Sequence, residues 1–260
     1  MLRGIDHLVI AVPDLDVAQA ELTESVGLAC SAGGRHPDAG TSNRIAFLGE
    51  AYLELLAVDD QRLAGERPIG AAALRALEAG GGLATYALVD DALEVTAAEL
   101  RANGSSIAEP VRGSRSRPDG EAVEWWTATF ERLGPDAPPF VIRHANVGAE
   151  WSTEALAQRR AQRHPIGSPV ELVRLDIATS DPPGLAAEYG AQLGLEFWAV
   201  ADLAVTNVGP HVIRLVPNHE TDLPAAVVLA AEVEMPRSVD ALGVRFYVEH
   251  AATTLERPTS

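Results

Sequence analysis

The chain has 260 residues, of which 47% are hydrophobic and 22% charged, a balance typical of a globular protein with one large or two smaller domains. Its formal net charge of −17 argues against binding to nucleic-acid phosphates or anionic lipid, so neither nucleic acid nor membrane is expected as a partner. The single cysteine, Cys30, excludes an internal disulfide framework and any cysteine-based zinc site.

The N-terminal residues predict the first strand of the fold. MLRGIDHLVIAVPDLD begins with a strand pattern and contains no signal-peptide core followed by a small-residue cleavage site. No apolar run in the chain reaches the roughly 18 residues that a membrane-spanning helix needs. The cytoplasm is therefore the expected location.

The first strand opens a unit that occurs three times, with an apolar strand, an aspartate, an amphipathic helical run and a glycine. The spacing from aspartate to glycine is 13 residues in each copy. An aspartate caps the N-terminus of a helix and a glycine ends it in a left-handed conformation, so each copy predicts a helix of about three turns. The aspartate–glycine pairs are Asp14 and Gly27, Asp91 and Gly104, and Asp181 and Gly194.

Further strand-like runs follow each glycine, which makes the unit β-α-β-β-β. Residues 225–234 and 242–250 predict the first and last strands of a reduced fourth unit that has lost its helix and middle strands. A helical stretch at 149–164 predicts a linker between a first half, residues 1–148, and a second half, residues 165–260. A helix-prone stretch also lies within residues 61–79, between the first two units.

Tandem units of this kind resemble the vicinal oxygen chelate superfamily, which includes glyoxalase I, extradiol dioxygenases and bleomycin resistance proteins. The chain is similar more narrowly to glyoxalase-like domain proteins in its first strand (4–16), in the segment 33–58, and in the R-x-R-P-D-G element and tryptophan strand at 115–126. The resemblance implies an α+β fold in which tandem βαβββ modules pair into two open barrel-like halves, with the last module reduced.

In metal-dependent relatives the ligands come from the first and last strands of each paired module. Carried onto this chain, the resemblance places His7 and Glu54 at these positions. A histidine and a carboxylate suit a divalent metal such as Zn, Ni, Mn or Fe. Two ligands do not complete a site, because catalytic zinc takes three protein ligands and a water.

The repeat predicts which residues stand at the same positions in the second unit. Counting seven residues back from the aspartate and along the last strand identifies Ala84, with neighbouring Thr85, and Ile142 or Arg143. None of these is an ordinary metal ligand apart from Thr85, a weak one, so a metal would need completion by His144, His36 or the oxygens of a substrate.

In the third unit both positions are arginines, Arg174 and Arg214. Two guanidinium groups could clamp a carboxylate or phosphate, or they could form ion pairs with Asp176 or Glu171. The second half then reads as a degenerate structural partner of the first.

Other polar and aromatic residues are candidates for ligand contact. Some lie in a Gly/Pro-rich segment, where they could orient a ligand or serve turn formation. Adjacent tryptophans on a strand point to opposite faces, so one of the pair faces the cleft, while core packing is an alternative role for each. The candidates for ligand binding are His36, Thr41, Asn43, Tyr52 and Trp126.

The leading functional hypothesis is a metal-dependent lyase or isomerase acting on a small oxygenated molecule in the N-terminal cleft. His7 and Glu54 would bind the metal, and Glu54 could alternatively act as the catalytic base. A direct His7–Glu54 hydrogen bond without a metal stays open. The alternative function is a non-catalytic, resistance-type protein that binds or sequesters a small molecule. A homodimer also stays open.

Overall fold

The computed structural model of the protein describes residues 1–116, 122–146, 151–167, 169–220 and 223–251. Their strands form two sheets, one of eight strands and one of seven. None of the described helices is long and apolar enough to cross a membrane.

Two β-α-β-β-β units build the eight-stranded sheet, and a pair of helices connects them. The elements of the first unit are β1 (Gly4–Ala11), α1 (Leu15–Glu21), β2 (Ser31–His36), β3 (Thr41–Leu48) and β4 (Ala51–Val58). The connecting helices are α2 (Gln61–Gly65) and α3 (Pro68–Glu78). The elements of the second unit are β5 (Gly82–Val89), α4 (Leu93–Ala102), β6 (Val111–Ser116), β7 (Ala122–Ala128) and β8 (Phe140–His144).

The remaining elements build the seven-stranded sheet after a short helix. The helix α5 (Thr153–Arg160) precedes the third unit, which consists of β9 (Glu171–Thr179), α6 (Pro182–Leu193), β10 (Trp198–Val200), β11 (Leu203–Val208) and β12 (His211–Pro217). The fourth unit consists of β13 (Ala225–Ala231), β14 (Arg237–Ala241) and β15 (Val244–His250). The prediction that this unit loses both middle strands is wrong, because β14 remains and pairs with β15.

Both sheets follow the same plan. The eight-stranded sheet has the order β2-β3-β4-β1-β5-β8-β7-β6, and the other has the order β10-β11-β12-β9-β13-β15-β14. The first and last strands of each module pair in parallel, and the two modules of a sheet join through antiparallel first strands, β1 with β5 and β9 with β13. The end strands β2 and β6 contact each other, so the eight-stranded sheet is nearly a closed barrel. The predicted α+β fold of paired βαβββ modules is confirmed.

Local capping chemistry explains the ends of the helices in the first and third units. The Asp14 carboxylate accepts two backbone N–H bonds from the first turn of α1, and Asp181 accepts one at the start of α6. After α1 the chain continues through a wider π-helical turn (Leu22–Val26) that ends at Gly27. Gly27 and Gly194 have φ values of +83° and +68°, the left-handed conformation that glycine adopts without strain.

The capping residue of the second unit differs from the prediction. Asp91 does not cap α4; its exposed side chain forms an ion pair with Arg3, with 2.8 Å between Oδ1 and Nη2. The preceding residue, Asp90, is buried and accepts the Ala92 backbone N–H at 2.7 Å. In this copy the aspartate that bonds to the start of the helix therefore lies one position before the one that the 13-residue spacing identified.

The central strands are buried on both faces, and the two halves share one apolar core. All eight residues of β1 and all seven of β13 are buried. Between the halves, the buried Tyr86 hydroxyl donates to the Tyr189 hydroxyl at 3.2 Å, and Tyr189 donates to the Ala137 carbonyl at 2.9 Å. The domain boundaries proposed from the sequence stay a prediction.

Candidate functional site

A cavity of about 830 Å³ opens in the first-half barrel. This volume lies within the range of about 300–1,000 Å³ that is usual for small-molecule sites. Polar side chains from β1, β3, β4 and β8 line it together with several aromatic rings. The aromatic residues of the lining are Phe47, Tyr52, Trp125, Phe140 and Trp151.

Strand β1 directs two adjacent polar residues, Asp6 and His7, into this cavity. Neighbours in a regular strand face opposite sides. Here the pairing with β5 shifts by one residue between Ile5, which pairs with Leu88, and His7, which pairs with Ala87. Asp6 is the extra residue of a bulge, and the bulge brings it to the side of His7. Sequence reasoning missed Asp6 because strict alternation assigned it to the other face; a carboxylate in an apolar strand was the only signal.

Asp6 connects two histidines of the cavity. One carboxylate oxygen, Oδ1, lies 2.6 Å from Nδ1 of His7, and the other, Oδ2, lies 2.9 Å from Nε2 of His144. Asp6 and His7 are buried, and the His144 side chain is 13% exposed. The strands β1 and β8 of two different modules therefore meet at one carboxylate.

The electrostatics of this cluster determine where the protons lie. Burial by itself raises the pKa of Asp6, but the charges and hydrogen bonds of His144 and His7 outweigh it and hold the pKa below its ordinary range. An ionised carboxylate only accepts hydrogen bonds. Nδ1 of His7 and Nε2 of His144 therefore carry hydrogens and donate to Asp6.

The other ring nitrogen of His7 faces Glu54. Nε2 of His7 lies 3.6 Å from Oε2 of Glu54, which is too long for a hydrogen bond, so the direct bond considered from the sequence is not formed. Asn43 Nδ2 donates to the second oxygen, Oε1, of Glu54 at 2.5 Å. The structure thus brings His7 and Glu54 together and leaves Oε2 directed at His7.

Aromatic rings enclose the His7 imidazole. Its ring stacks on Tyr52 with centroids 4.6 Å apart and an interplanar angle of 11°, and the edge of Phe140 approaches at 5.4 Å. Burial and the negative charges of Asp6 and Glu54 raise the pKa of Tyr52 well above its ordinary value. The Tyr52 hydroxyl therefore stays neutral.

His36 and Thr41 lie at the ends of β2 and β3 and both line the cavity. His36 Nδ1 and Thr41 Oγ1 are 3.0 Å apart, and the edge of the Trp125 ring meets the His36 ring at 5.9 Å. Burial lowers the pKa of His36, which favours the neutral imidazole. Both residues can therefore offer neutral hydrogen-bonding groups to a ligand.

One tryptophan of the pair lines the cavity, as expected, but it is Trp125 and not Trp126, the candidate for ligand binding. Trp126 lies on the other face of β7, where the guanidinium of Arg143 packs 4.1 Å from its ring centre. Arg143 in turn forms an ion pair with Glu94 of α4. Between the two candidates on β8, Ile142 therefore lines the cavity and Arg143 does not.

The repeat count identified Ala84 and its neighbour Thr85 on β5, and the strand pairing distinguishes between them. In the sheet, Val9 of β1 is flanked by Glu54 on β4 and by Thr85 on β5. Residues aligned across neighbouring strands project to one face, so Thr85 rather than Ala84 shares the face of Glu54. The β1–β5 pairing shifts again between Val9 and Ile10, which changes the alternation that the count assumed. The Thr85 hydroxyl is fully buried and has no hydrogen-bond partner among the described residues.

The donor set does not fit the expected divalent metal. Nε2 of His7 and Oε2 of Glu54 converge and could supply two ligands, whereas Nδ1 of His7 and Nε2 of His144 are engaged in hydrogen bonds with Asp6. Within the described part of the chain, no three His, Cys, Asp or Glu side chains form a group that could hold a metal ion. A catalytic metal needs about three protein ligands, and the described residues do not bring three together.

The two arginines of the third unit are engaged with one carboxylate. Nε of Arg174 and Nε of Arg214 each lie 2.8 Å from Oδ1 of Asp176, and Nη2 of Arg214 lies 2.7 Å from Oδ2. Asp176 is buried, so the two guanidinium groups compensate its charge. This is the ion-pair alternative considered from the sequence.

All three segments that carry the family resemblance reach the cavity, the first of them through Asp6 and His7. Residues 33–58 supply the polar lining described above, including Asn43 and Glu54. From the R-x-R-P-D-G element, Arg115 lines the cavity, whereas residues 117–120 lie outside the described residues.

One solved structure shares the fold over nearly the whole chain, and others are similar to part of it. A hypothetical protein from Staphylococcus aureus is similar over 95% of this chain and 99% of its own, with a TM-score of 0.78 and 15% identity. A Streptomyces coelicolor methylmalonyl-CoA epimerase in complex with 2-nitronate-propionyl-CoA matches 57% of this chain and 99% of its own, with a TM-score of 0.43 and 18% identity. The Mycobacterium tuberculosis methylmalonyl-CoA epimerase matches 55% and 87%, with a TM-score of 0.39 and 18% identity.

No curated protein matches the chain significantly. The family model described as a glyoxalase-like domain matches residues 5–193, most of the chain, and this range includes the cavity residues of β1 to β8 apart from Gly4. The chain therefore belongs to the glyoxalase-like domain family, in agreement with the resemblance that its sequence carries.

Proposed function

We propose that the protein is a proton-transfer enzyme of the lyase or isomerase type, acting on a small oxygenated molecule in the first-half cavity. The observation that carries this proposal is the buried row Asp6–His7–Glu54 on the cavity lining. A carboxylate orients the imidazole from one side, and a second carboxylate faces its free nitrogen across 3.6 Å. Paired groups of this kind serve general acid–base catalysis.

Each residue has a distinct role in the proposal. Glu54 Oε2 accepts a proton from the carbon next to a carbonyl group, and Asn43 holds Oε1 so that Oε2 keeps its direction. The electrons of the broken C–H bond move to the carbonyl oxygen. The proposed step requires a hydrogen on Nε2 of His7 as well, so that Nε2–H donates to this oxygen while Nδ1–H stays bound to Asp6. Return of the proton to another carbon gives an isomer, and loss of a leaving group gives a lyase product.

The test is hydrogen exchange at carbon. The purified protein is incubated in D₂O with α-hydroxyaldehydes, α-hydroxyketones, 2-oxo acids and β-keto esters, and loss of the α-proton signal is followed by ¹H NMR. We expect exchange above the blank for at least one compound. Glu54→Gln removes the base, and we expect it to slow the exchange by about 10²–10⁴-fold. Glu109→Gln, on a surface glutamate with 78% exposure, is the control and should leave the rate unchanged.

Four results would contradict the proposal or redirect it. Absence of exchange with every compound, or full exchange by Glu54→Gln, contradicts proton transfer at this site. Tight binding of a compound that quenches tryptophan fluorescence, without exchange, supports the sequestering alternative. Loss of exchange on adding a chelator, together with stoichiometric metal in the protein, restores the metal-dependent hypothesis. The cytoplasmic location and a homodimer stay predictions from the sequence.

A further inference from the structure

The turn between β11 and β12 in the second half lies directly against the beginning of β1. Nδ1 of His211 accepts the backbone N–H of Ile5 at 2.9 Å, a contact between residues 206 positions apart. His211 is buried, with 6% exposure, and lines the same cavity as Asp6 and His7. The second half therefore reaches the first-half site, and His211 forms a hydrogen bond there.

Two glycines make this approach close. A Cβ on Gly4 would lie 2.8 Å from Nδ1 of His211, so any larger residue there would displace the imidazole. A Cβ on Gly209 would lie 1.7 Å from the Arg3 carbonyl oxygen, and Gly209 has a φ of +56°. Both sides of the contact thus depend on the absence of a side chain.

The contact lies one residue before the bulge. Ile5 is the last residue of β1 that pairs in register with β5 before the shift, and Asp6 is the extra residue. The extra residue of a bulge is not held by the regular ladder, so its direction depends on how its neighbours are fixed. His211 fixes the backbone N–H of Ile5, the residue that precedes Asp6.

We propose that His211 is a positioning residue, which holds the start of β1 so that Asp6 turns into the cavity and accepts from His7 and His144. The catalytic meaning of this role rests on the proposed function, whereas the contact itself does not. The arrangement requires that Nδ1 of His211 carry no hydrogen, because it accepts the Ile5 N–H. The second half is then more than a structural partner, since it supplies a residue on which the site geometry depends.

NMR of the substrate-free protein with ¹⁵N-labelled histidine tests the proposal. In the wild type, His7 should show a hydrogen held on Nδ1 by Asp6. His211→Leu removes the acceptor, and we expect loss of this pattern at His7 and at least about fivefold faster exchange of the Ile5 amide. His211→Asn retains an acceptor oxygen near the position of Nδ1 and should restore both signals. His219→Leu, at an exposed histidine after β12, is the control and should change neither.

A folded His211→Leu protein with unchanged His7 signals would overturn the proposal, as would failure of His211→Asn to restore them. If His211→Leu does not fold, the same two signals are measured in His211→Gln. The amide of this variant lies nearer the position of Nε2 than of Nδ1, so it should lose the bond to the Ile5 N–H as His211→Leu does. These measurements use no substrate. A negative carbon-exchange experiment therefore overturns the proposed function without affecting His211, and unchanged His7 signals overturn the role of His211 without affecting the proposed function.

Discussion

Asp6 keeps its negative charge in the protein interior because two histidines donate to it. One comes from the same strand and the other from β8, and their oxygen–nitrogen distances are 2.6 and 2.9 Å. Removing the charge would leave both N–H groups with a weaker acceptor in a buried site. The same carboxylate keeps the hydrogen of His7 on Nδ1, so the stability of the cluster and the proposed chemistry depend on one side chain.

Asp6→Asn should therefore lower stability at pH 7 by about 1–3 kcal/mol, measured as a shift in urea unfolding. Because the folded-state pKa of Asp6 lies below the ordinary value of 3.8, its contribution is complete above that pH and is lost as the pH falls further. The difference between wild type and variant should shrink accordingly below about pH 4. Asp240→Asn, which removes a surface partner of Arg245, is the control and should cost at most about 1 kcal/mol. Equal costs for the two variants would contradict the role given to Asp6.

At the scale of elements, the strand pair β2–β3 determines the orientation of Asn43. The Gly34 backbone N–H donates to Asn43 Oδ1 at 2.7 Å, and the amide nitrogen on the other side donates to Glu54. Its two hydrogen bonds leave only one orientation of the amide. Gly33 permits this arrangement, because a Cβ there would lie 2.0 Å from the Asn43 carbonyl oxygen.

Gly33→Ala should push β2 away from β3 and release Asn43 from Glu54. We expect a loss of about 1–3 kcal/mol in thermal or urea unfolding, since the clash is with backbone and cannot be relieved by a side-chain rotation. Gly65→Ala is the matched control: its Cβ would meet only Leu74 at 3.8 Å, and its stability should stay within about 0.5 kcal/mol of wild type. A Gly33→Ala protein as stable as this control would show that the strand pair does not depend on the missing side chain.

At the scale of the whole molecule, histidines join distant parts of the chain by backbone hydrogen bonds. His164, just before the second half, accepts the Ala29 N–H through Nδ1 at 3.0 Å and donates from Nε2 to the Phe47 carbonyl at 2.8 Å. His211 joins the two halves at Ile5 in a similar way. Burial lowers the pKa of His164, and protonation of Nδ1 would break the bond to Ala29.

His164→Leu should cost about 2–4 kcal/mol at pH 7.5, because it leaves two backbone groups without partners. A lowered folded-state pKa means that the wild-type contribution is complete above the ordinary value of 6.5 and is lost as the pH falls below it. The gap between wild type and variant in urea midpoint should therefore narrow from pH 7.5 to 5.5. His219→Leu, at an exposed histidine, should show no such trend. A difference in urea midpoint that stays constant with pH would contradict the role of the His164 hydrogen bonds to Ala29 and Phe47.

Short-range chemistry made much of this protein predictable from its sequence. Capping aspartates and left-handed glycines act within one helix, so the repeat and two of its three caps could be identified from spacing alone. The family resemblance placed His7 and Glu54 on the first and last strands of one module, and these strands are adjacent in the sheet. The family followed from these segments without any tertiary information.

Strand register and long-range packing were decided only by the tertiary structure. A shift of one residue reverses the face to which a side chain points, so the bulge that turns Asp6 inward and the choice of Trp125 over Trp126 could not be read from alternation. The contact of His211 with Ile5 depends on how the second sheet packs against the first, which no local pattern encodes. Sequence therefore determined the modules and two residues of the site, and the packing of those modules determined the geometry in which the residues meet.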